Sequence, residues 1–231
     1  MIKKIKDFLK LREPVPWALD VACGTGQSTL ALKEVASQVV GTDTSREMLA
    51  RAPREAGVRY VEAPAEDLPF ADDSFCLVTV ALALHWFERS RFLTEARRVL
   101  DPGGWLVVYD NGFLGEMKEN PKHERWYRED YLARYPSPPR NKEPLTEDEC
   151  RKHGLRLVEK ERYTNEVSFS VEELTGYLMT QSNVVGAIES GAESLESVRT
   201  WLVSSLTPMF RGPRETFRFG GVIEYLQAVV V

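Results

Sequence analysis

The sequence predicts an α/β fold built on a doubly wound, mostly parallel sheet, and two observations support that prediction. Short β-rich runs alternate with helical patterns through the first 110 residues. The runs are apolar on both faces, which is typical of parallel strands that helices cover from both sides. Together, the alternation and the composition indicate one open sheet with helices packed on each side.

The predicted elements begin with an amphipathic N-terminal helix. Ile2, Ile5 and Phe8 recur at helical spacing, and prolines at 14 and 16 end the pattern. The stretch DPGG at 101–104 predicts a stop between a helix and the fifth strand. Five strands are predicted at 17–22, 37–43, 58–63, 74–82 and 103–110, with helices near 27–36, 45–52 and 89–100.

Beyond residue 110 the alternation stops. Residues 113–135 are polar and aromatic, and YPSPPRNKEP at 135–144 predicts a proline-broken loop. Capping boxes at Thr146/Glu149 and Ser170/Glu173 predict two helix starts. A strand is predicted at about 155–168, and a long final strand with a Gly-Gly bend at 215–231.

Composition disfavours several classes of protein. The 231 residues carry 30 basic and 35 acidic side chains, a formal charge of −5 with the signs interspersed, which disfavours a nucleic-acid partner. Three distant cysteines show no metal-ligand spacing, so we expect no metal and buried, reduced thiols. No signal peptide or apolar span is evident, so we expect a cytoplasmic protein without membrane association, as a monomer or a homo-oligomer.

The first strand runs into a glycine turn, DVACGTG at 20–26. Small residues and two glycines allow close backbone approach, and N–H groups are exposed where the next helix begins. Asp43 ends the second strand, where a carboxylate can accept both hydroxyls of a ribose. The turn therefore predicts an adenosine derivative as ligand.

Two classes of adenosine-containing ligand are possible for this turn. A nicotinamide or flavin fingerprint needs a third glycine, where this chain has Thr29. Asp20 would also repel a diphosphate and attract an α-ammonium group. These two features favour a nucleoside that bears an amino acid.

Four blocks together resemble the class I S-adenosylmethionine-dependent methyltransferases. They are LDVACGTG at 19–26, GTDTSREML at 41–49, AEDLPFADDSFCLVTVALALHWF at 65–87 and FLTEARRVLDPGGWLVVYD at 92–110. The form ALALHWF is most similar to the subgroup that contains the trans-aconitate methyltransferases. The resemblance implies a seven-stranded sheet with an antiparallel last strand and a helical insertion after strand five.

The resemblance also implies roles for individual residues. Asp20 and the backbone of Ala22, Cys23 and Gly24 would face the methionine part of the cofactor, with Gly26 close beside it and Ala81 near the amino group. Asp43 would bind the ribose. The adenine would contact Thr44 and Met48, and Asp67 would accept from its amino group, with Glu66 and Leu68 nearby.

As domain organisation, we expect one methyltransferase domain over 1–231. Its cofactor-binding half is predicted at 1–110, helical substrate or lid segments at 111–154 and 170–210, and edge hairpin strands at 155–169 and 215–231. Only about 16 residues precede the first strand, and Ala22 replaces the usual glycine of the family. Both features depart from the pattern of the family.

The predicted reaction is in-line transfer of a methyl group to a small-molecule acceptor, in which alignment and desolvation provide most of the acceleration. His85 is the candidate base, and packing of His85 and Trp86 under the insertion is the alternative. Candidate substrate residues are Trp86, Trp126, Tyr127, Tyr131, Tyr177 and Gln181. Arg125, Arg128 and Arg134 could receive an acidic substrate, with solvated helix surface as the alternative.

Two other functions stay open at this point. The chain could be a non-catalytic binding module of the same fold, or, less favoured, a nicotinamide-dependent oxidoreductase.

Overall fold

The computed structural model describes residues 1–137 and 143–230. The chain divides into two compact units, each described separately below. The first comprises Met1–Asn111, Asn141–Arg162 and Val222–Val231, and the second comprises Gly112–Arg140 and Tyr163–Gly221. The predicted cofactor-binding half at 1–110 lies within the first unit.

The first unit contains the predicted alternation. Its elements as far as residue 109 are α1 Ile2–Phe8, β1 Val15–Val21, α2 Gln27–Ala31, β2 Ala36–Asp43, α3 Arg46–Arg51, β3 Val58–Glu62, β4 Phe75–Ala81, α4 Arg89–Val99 and β5 Leu100–Tyr109. The rest of the described chain forms β6 Gly112–Met117, α5 Lys122–Trp126, α6 Leu132–Arg134, α7 Glu147–Lys152, β7 Leu155–Phe169, α8 Val171–Met179, α9 Ser182–Glu189, α10 Leu195–Leu206 and β8 Glu215–Ala228. Strands β7 and β8 each run from one unit into the other.

The strand order places a crevice beside β1. The sheet of the first unit runs β3-β2-β1-β4-β5, all parallel, and β5 then pairs with β8 in antiparallel orientation. From β1 the chain moves to β2 and β3 on one side, and later to β4 and β5 on the other. Ligands of open α/β sheets bind at such a switch point, outside the carboxyl ends of the strands.

Burial explains why these runs form strands. Leu19, Val40, Val78 and Leu106, on four adjacent strands, have no solvent-exposed surface. Complete burial of such a side chain contributes about 1.5–3 kcal/mol. The predicted α/β fold with a mostly parallel sheet and antiparallel C-terminal pairing is confirmed.

Two predicted details are wrong. The described chain has eight strands where seven were predicted, because Gly112–Met117, assigned to a helical segment, pairs with the first part of β8. The DPGG stretch does not separate α4 from β5, because β5 begins at Leu100, directly after α4, and includes residues 101–104. The pairing of β4 with β5 shifts register here, and a Cβ on Gly104 would lie 2.9 Å from the Asp101 carbonyl oxygen. Glycine therefore permits an irregular strand where a turn was expected.

The second unit has a core of its own, built largely from aromatic rings. Trp126, Tyr131, Tyr135, Phe217 and Phe219 pack there with leucines of α8 and α10. The predicted capping box at the start of α8 forms in both directions between Ser170 and Glu173. The proline-broken loop is described only in part, because residues 138–142 lie outside the described residues, as does residue 231 of the predicted final strand.

No helix in the described ranges combines the length and the apolar character needed to cross a membrane.

Candidate active site

A cleft of about 480 Å³ opens at the carboxyl ends of β1, β2, β3 and β4, entirely within the first unit. Its walls come from the loops that follow these four strands. The lining residues are Ala22, Gly24, Asp43, Thr44, Ser45, Met48, Ala63, Ala65, Glu66, Ala81, Leu82, Ala83, Trp86 and Phe87.

Asp43 is the best-oriented polar side chain of this cleft. Its Oδ2 accepts the backbone N–H of Gly24 at 2.8 Å, and its Oδ1 accepts the N–H of Ser45 at 2.9 Å. Each carboxylate oxygen can accept a further hydrogen bond, because an ionised carboxylate has about four acceptor positions. The two N–H donors thus hold the carboxylate in place and leave acceptor capacity on both oxygens.

Asp20 lies beneath the cleft and does not line it. Its side chain is fully buried and accepts three hydroxyl groups: Ser28 Oγ at 2.6 Å, Thr29 Oγ1 at 2.7 Å and Thr79 Oγ1 at 2.9 Å. Burial raises the pKa of Asp20, and the three hydroxyls partly oppose that shift. The structure thus places Asp20 as a carboxylate that ties β1 to α2 and β4.

Only some residues of the glycine turn line the cleft. Ala22 and Gly24 line the cleft, and both have positive φ, +55° and +56°. Gly26, with φ +80°, is buried instead: a Cβ there would clash with Tyr60 Oη and lie 2.8 Å from Cζ of the same ring. The glycine that was expected beside the cofactor is therefore required by the packing of Tyr60.

The Cys23 backbone is already engaged inside the protein. Its N–H donates to Thr42 O at 2.8 Å, and its carbonyl accepts the N–H of Gly26 at 2.9 Å. The thiol is buried, and burial raises its pKa to about 12. Cys23 thus stabilises the turn through its backbone hydrogen bonds. Its neighbours Ala22 and Gly24 line the cleft, whereas Cys23 does not.

Three consecutive residues after β3 have three different environments. Glu66 lines the cleft, and its Oε1 accepts the N–H of Glu88 at 2.8 Å. Asp67 is exposed and lies outside the lining, whereas Leu68 belongs to the hydrophobic core. Of the three residues expected near an adenine, the structure brings only Glu66 to the cleft.

The other residues expected at the cofactor do reach the cleft. Thr44, Met48 and Ala81 all line it. The Met48 sulfur lies 3.6 Å from the position that a Cβ on Gly24 would take, so the two residues form adjacent parts of one wall. Met48 is 46% exposed, so its side chain is not a buried core residue of α3.

His85 and Trp86 share one 3₁₀ turn, Leu84–Trp86, but differ in environment. Trp86 lines the cleft and is 61% exposed. His85 is half-buried with its ring 4.8 Å from that of Trp86, and it is not part of the lining. The candidate base therefore adjoins a residue of the cleft lining without being part of that lining.

The candidate substrate residues of the second unit form part of its aromatic core. Trp126 and Tyr131 are buried, and Tyr127 and Tyr177 pack against them. Tyr127 and Tyr131 stack at 5.1 Å between ring centroids, and burial raises the pKa of Tyr177 to about 12. Gln181 donates from its side chain to the Tyr177 carbonyl at 3.4 Å. Each of these five residues thus has a packing contact or a hydrogen bond within its own unit.

Sequence reasoning missed the arginine that holds one loop of the cleft. Arg98 on α4 uses all five of its N–H donors. The acceptors are Glu95 Oε1 and Oε2, the carbonyls of Leu68 and Phe70, and Asp72 Oδ1, at 2.7 to 2.9 Å. The i,i+3 spacing of Glu95 and Arg98 was visible in the sequence, but the carbonyl partners lie about 30 positions away. Arg98 therefore anchors the loop that carries Glu66.

Comparison with known proteins places this cleft in a known domain. Residues 19–108 match the family described as Methyltransferase domain, and these residues contain most of β1 to β5 and the whole cleft lining. A demethylmenaquinone methyltransferase of Thermus thermophilus is 46% identical over 100 residues, which cover 40% of this chain and 46% of the relative. A candidate methyltransferase of Dictyostelium discoideum is 27% identical over 179 residues, 75% of this chain and 67% of the relative.

The chain therefore spans less than half the length of the Thermus relative and about two thirds of the Dictyostelium relative. Among solved structures, a candidate type II methyltransferase of Anaeromyxobacter dehalogenans superposes with a TM-score of 0.76 at 24% identity, covering 99% of this chain and 97% of that chain. The chain thus has the fold of this methyltransferase structure, and residues 19–108 match the family described as Methyltransferase domain.

Proposed function

We propose that this protein is an S-adenosylmethionine-dependent methyltransferase that acts on a small-molecule acceptor. The observation that carries the proposal is Asp43, a carboxylate held by two backbone N–H groups at the edge of the cleft, with acceptor capacity left on both oxygens. A ribose presents two adjacent hydroxyl donors, which this arrangement matches. The matching family and the relatives named as methyltransferases support the same activity.

The rest of the lining fits the other parts of this cofactor. Met48 and Thr44 adjoin Asp43 and offer a methionine side chain and a small polar group to an adenine. Gly24 and Ala81, at the ends of β1 and β4, leave room for a methionine moiety because neither has a side chain beyond Cβ. No arginine or lysine occurs in the described lining of the cleft, so a diphosphate would lack a cationic partner there.

Asp20 acts in this proposal through other residues. Its three hydroxyl partners come from α2 and β4, so its buried carboxylate fixes the glycine turn relative to the tip of β4. We infer that Asp20 positions the backbone of Ala22 and Gly24 toward the methionine part of the cofactor. This role replaces direct contact with the ammonium group.

The cofactor, when bound, supplies an activated methyl group on a positively charged sulfur. That group would allow in-line transfer of the methyl to a lone pair of the acceptor, with the electron pair of the broken C–S bond left on sulfur, and Asp43, Thr44 and Met48 would hold the cofactor. An acceptor hydroxyl would release its proton to a base or to water. The residues of the chain align the two reactants and exclude water, and these effects provide most of the acceleration in such a displacement.

The role of His85 remains a proposal. Its half-buried ring lies 4.8 Å from that of Trp86, which lines the cleft, so His85 lies close to the proposed site without lining it. We propose that His85 supports turnover without binding the cofactor. His85→Ala should accordingly lower kcat while the Kd for S-adenosylmethionine stays unchanged.

The two alternative functions make different predictions. In the oxidoreductase fingerprint a third glycine stands where this chain has Thr29, whose hydroxyl is bound to Asp20. A non-catalytic module would bind the cofactor without transferring its methyl group. Neither alternative is favoured by the matching family or by the relatives.

Calorimetric titration followed by a transfer assay tests the proposal. The protein is titrated with S-adenosylmethionine and, separately, with NADH, and binding of the former alone is expected. It is then incubated with methyl-labelled cofactor and a metabolite extract, and labelled products are identified by mass spectrometry. Binding of NADH alone would overturn the proposal, and binding without any labelled product would favour the non-catalytic module.

A further inference from the structure

We infer, on the basis of the methyltransferase activity proposed above, that Asn111 binds the methyl acceptor. Its side-chain carbonyl oxygen accepts a hydrogen bond from an O–H or N–H group of the acceptor, and this bond orients the acceptor toward the methyl group. Three observations carry the inference: the order of the strands, a buried oxygen on Asn111 without a partner, and the strained backbone of Leu82 at the tip of the neighbouring strand.

The order of the strands indicates which side of the cleft is left for the acceptor. Along the sheet, β2 is followed by β1, β4 and β5. Asp43, the proposed ribose ligand, ends β2, whereas Gly24 and Ala81, proposed beside the methionine part, lie at the tips of β1 and β4. The ribose and adenine would therefore occupy the β2 side and leave the β5 side open. Strand β5 ends at Tyr109, two residues before Asn111.

The side-chain oxygen of Asn111 is buried and has no hydrogen-bond partner among the described residues. Such an oxygen is uncommon, because most buried polar atoms in proteins are hydrogen-bonded. Without a partner it destabilises the folded chain, since it has lost its contact with water and has gained no bond in exchange. Its acceptor capacity is available to a donor group on a ligand.

The position of Asn111 distinguishes it from other residues with such an atom. Four more described residues of the first unit have a buried polar atom without a partner: Thr42, Tyr60, Arg89 and Tyr225. Three of them lie within strands, and Arg89 begins α4. Of these five residues, Asn111 alone follows the carboxyl end of a parallel strand, which is where ligands of open α/β sheets bind.

The tip of β4, next to the tip of β5, is held in a strained conformation. Leu82 directly follows β4 and has φ +56°, a region that leucine rarely adopts. Its N–H donates to the Tyr109 carbonyl at 2.9 Å, so the two strand tips are joined. Strain of this kind persists where the surrounding structure imposes it, and it is typical of functional sites. Because Leu82 lines the cleft, this bond links the cleft wall to the strand end that carries Asn111.

An amide oxygen at this position selects acceptors by hydrogen bonding and does not act as a base. A neutral amide takes up no proton, so the contribution of Asn111 is to align the acceptor, which is a large part of the acceleration in a displacement reaction. An acceptor without an O–H or N–H group would leave the oxygen unpaired and would bind more weakly. The expected acceptor therefore carries at least one hydroxyl, amino or amide N–H group.

Asn111→Leu tests the inference, because it replaces the amide by an apolar group of similar size. Turnover is measured as the rate of labelled product formed from methyl-labelled S-adenosylmethionine and the metabolite extract. We expect this rate to fall at least about ten-fold while the Kd for S-adenosylmethionine stays unchanged. The Tm should rise by roughly 2–4 °C, because the variant buries no unpaired oxygen.

Two further variants serve as controls. Asn165→Leu removes the same kind of buried oxygen without a partner from β7 in the second unit, and it should raise the Tm without changing the rate. Asn111→Asp keeps an acceptor oxygen at the position and should retain more of the rate than Asn111→Leu.

Each other outcome for Asn111→Leu overturns the inference. A lower Tm together with a lower rate would give Asn111 a structural role, an unchanged rate would exclude it from acceptor binding, and a weaker affinity for S-adenosylmethionine would place it in the cofactor site. If the unaltered protein bound no S-adenosylmethionine or formed no labelled product, the proposed function would fail, and this inference with it.

Discussion

The Asp43 carboxylate accepts the Gly24 N–H at 2.8 Å, and this one hydrogen bond joins the tip of β2 to the glycine turn after β1. Its second oxygen accepts the N–H of Ser45, which begins the turn into α3. The residue proposed to bind the ribose is therefore also the residue that holds the two adjacent walls of the cleft together.

Asp43→Ala should weaken S-adenosylmethionine binding by about 2–3 kcal/mol, roughly 30- to 150-fold in Kd, because hydrogen bonds to a charged group are lost. Calorimetry measures the Kd, and circular dichroism checks that the variant is folded. Glu47→Ala removes an exposed carboxylate from the neighbouring helix α3 and serves as the control. An unchanged Kd in folded Asp43→Ala protein would refute the assignment of the ribose site.

Ala22→Gly should stabilise the protein, although glycine increases the conformational entropy of the unfolded chain. Ala22 has φ +55°, and the left-handed region costs an alanine about 1–2 kcal/mol that a glycine does not lose. After the entropy of the added glycine is subtracted, the net gain is about 1 kcal/mol, or roughly 2–4 °C in Tm.

The control for this variant is Ala31→Gly, at a right-handed position with φ −63°. This change should destabilise the protein by about 0.5–1 kcal/mol, since glycine only adds freedom there. If both variants lowered Tm equally, strain at Ala22 would not be the explanation.

His123 should make the protein less stable in mild acid. Its imidazole is fully buried with Nδ1 2.7 Å from Gly115 O, and burial lowers its pKa from an ordinary value near 6.5 to about 4. The unfolded chain binds a proton near pH 6.5 and the folded chain does not. Stability is therefore complete above pH 6.5 and decreases as the pH falls toward 4, by about 2 kcal/mol at pH 5.

Urea denaturation at pH 7.5 and pH 5 measures this loss. His123→Asn keeps an amide donor near the Gly115 carbonyl but does not titrate. The variant is expected to be less stable at both pH values and to lose about 2 kcal/mol less than the original protein between them. Identical pH dependence in the two proteins would show that His123 is not responsible.

Arg98→Ala should loosen the loop that carries Glu66. The change removes five hydrogen-bond donors, two of which satisfy the carbonyls of Leu68 and Phe70. We expect a loss of about 2 kcal/mol in stability, because the guanidinium is partly exposed and water replaces some of the bonds. Hydrogen exchange should become faster in residues 66–72, and the Kd for S-adenosylmethionine should rise several-fold.

Arg98→Lys separates positioning from charge, since an ammonium has three donors and cannot reproduce the guanidinium fork. It should show an intermediate rise in Kd. Arg91→Ala, on an exposed face of the same helix, should leave the exchange rates of residues 66–72 unchanged. If Arg91→Ala and Arg98→Ala had the same effect, α4 stability in general would account for the result.

Much of the first unit could be predicted from the sequence because its signals are local. The alternation of apolar runs with helical patterns gave the five parallel strands to within a few residues, and two glycines followed by Asp43 at a strand end marked the cleft. Such patterns depend on the chemistry of adjacent residues and on the period of each element, both of which are present in the chain itself.

Whether a given side chain faces the cleft or the protein interior could be determined only from the tertiary structure. Asp20 lies in the interior because Thr79, 59 positions away, arrives beside it on β4. Gly26 meets the ring of Tyr60 because β3 pairs with β2 in a register that sets Tyr60 opposite Gly41. Burial and hydrogen bonding between distant segments decide whether a carboxylate faces a ligand or a neighbouring strand. The register of strand pairing that brings these segments together cannot be read from adjacent residues.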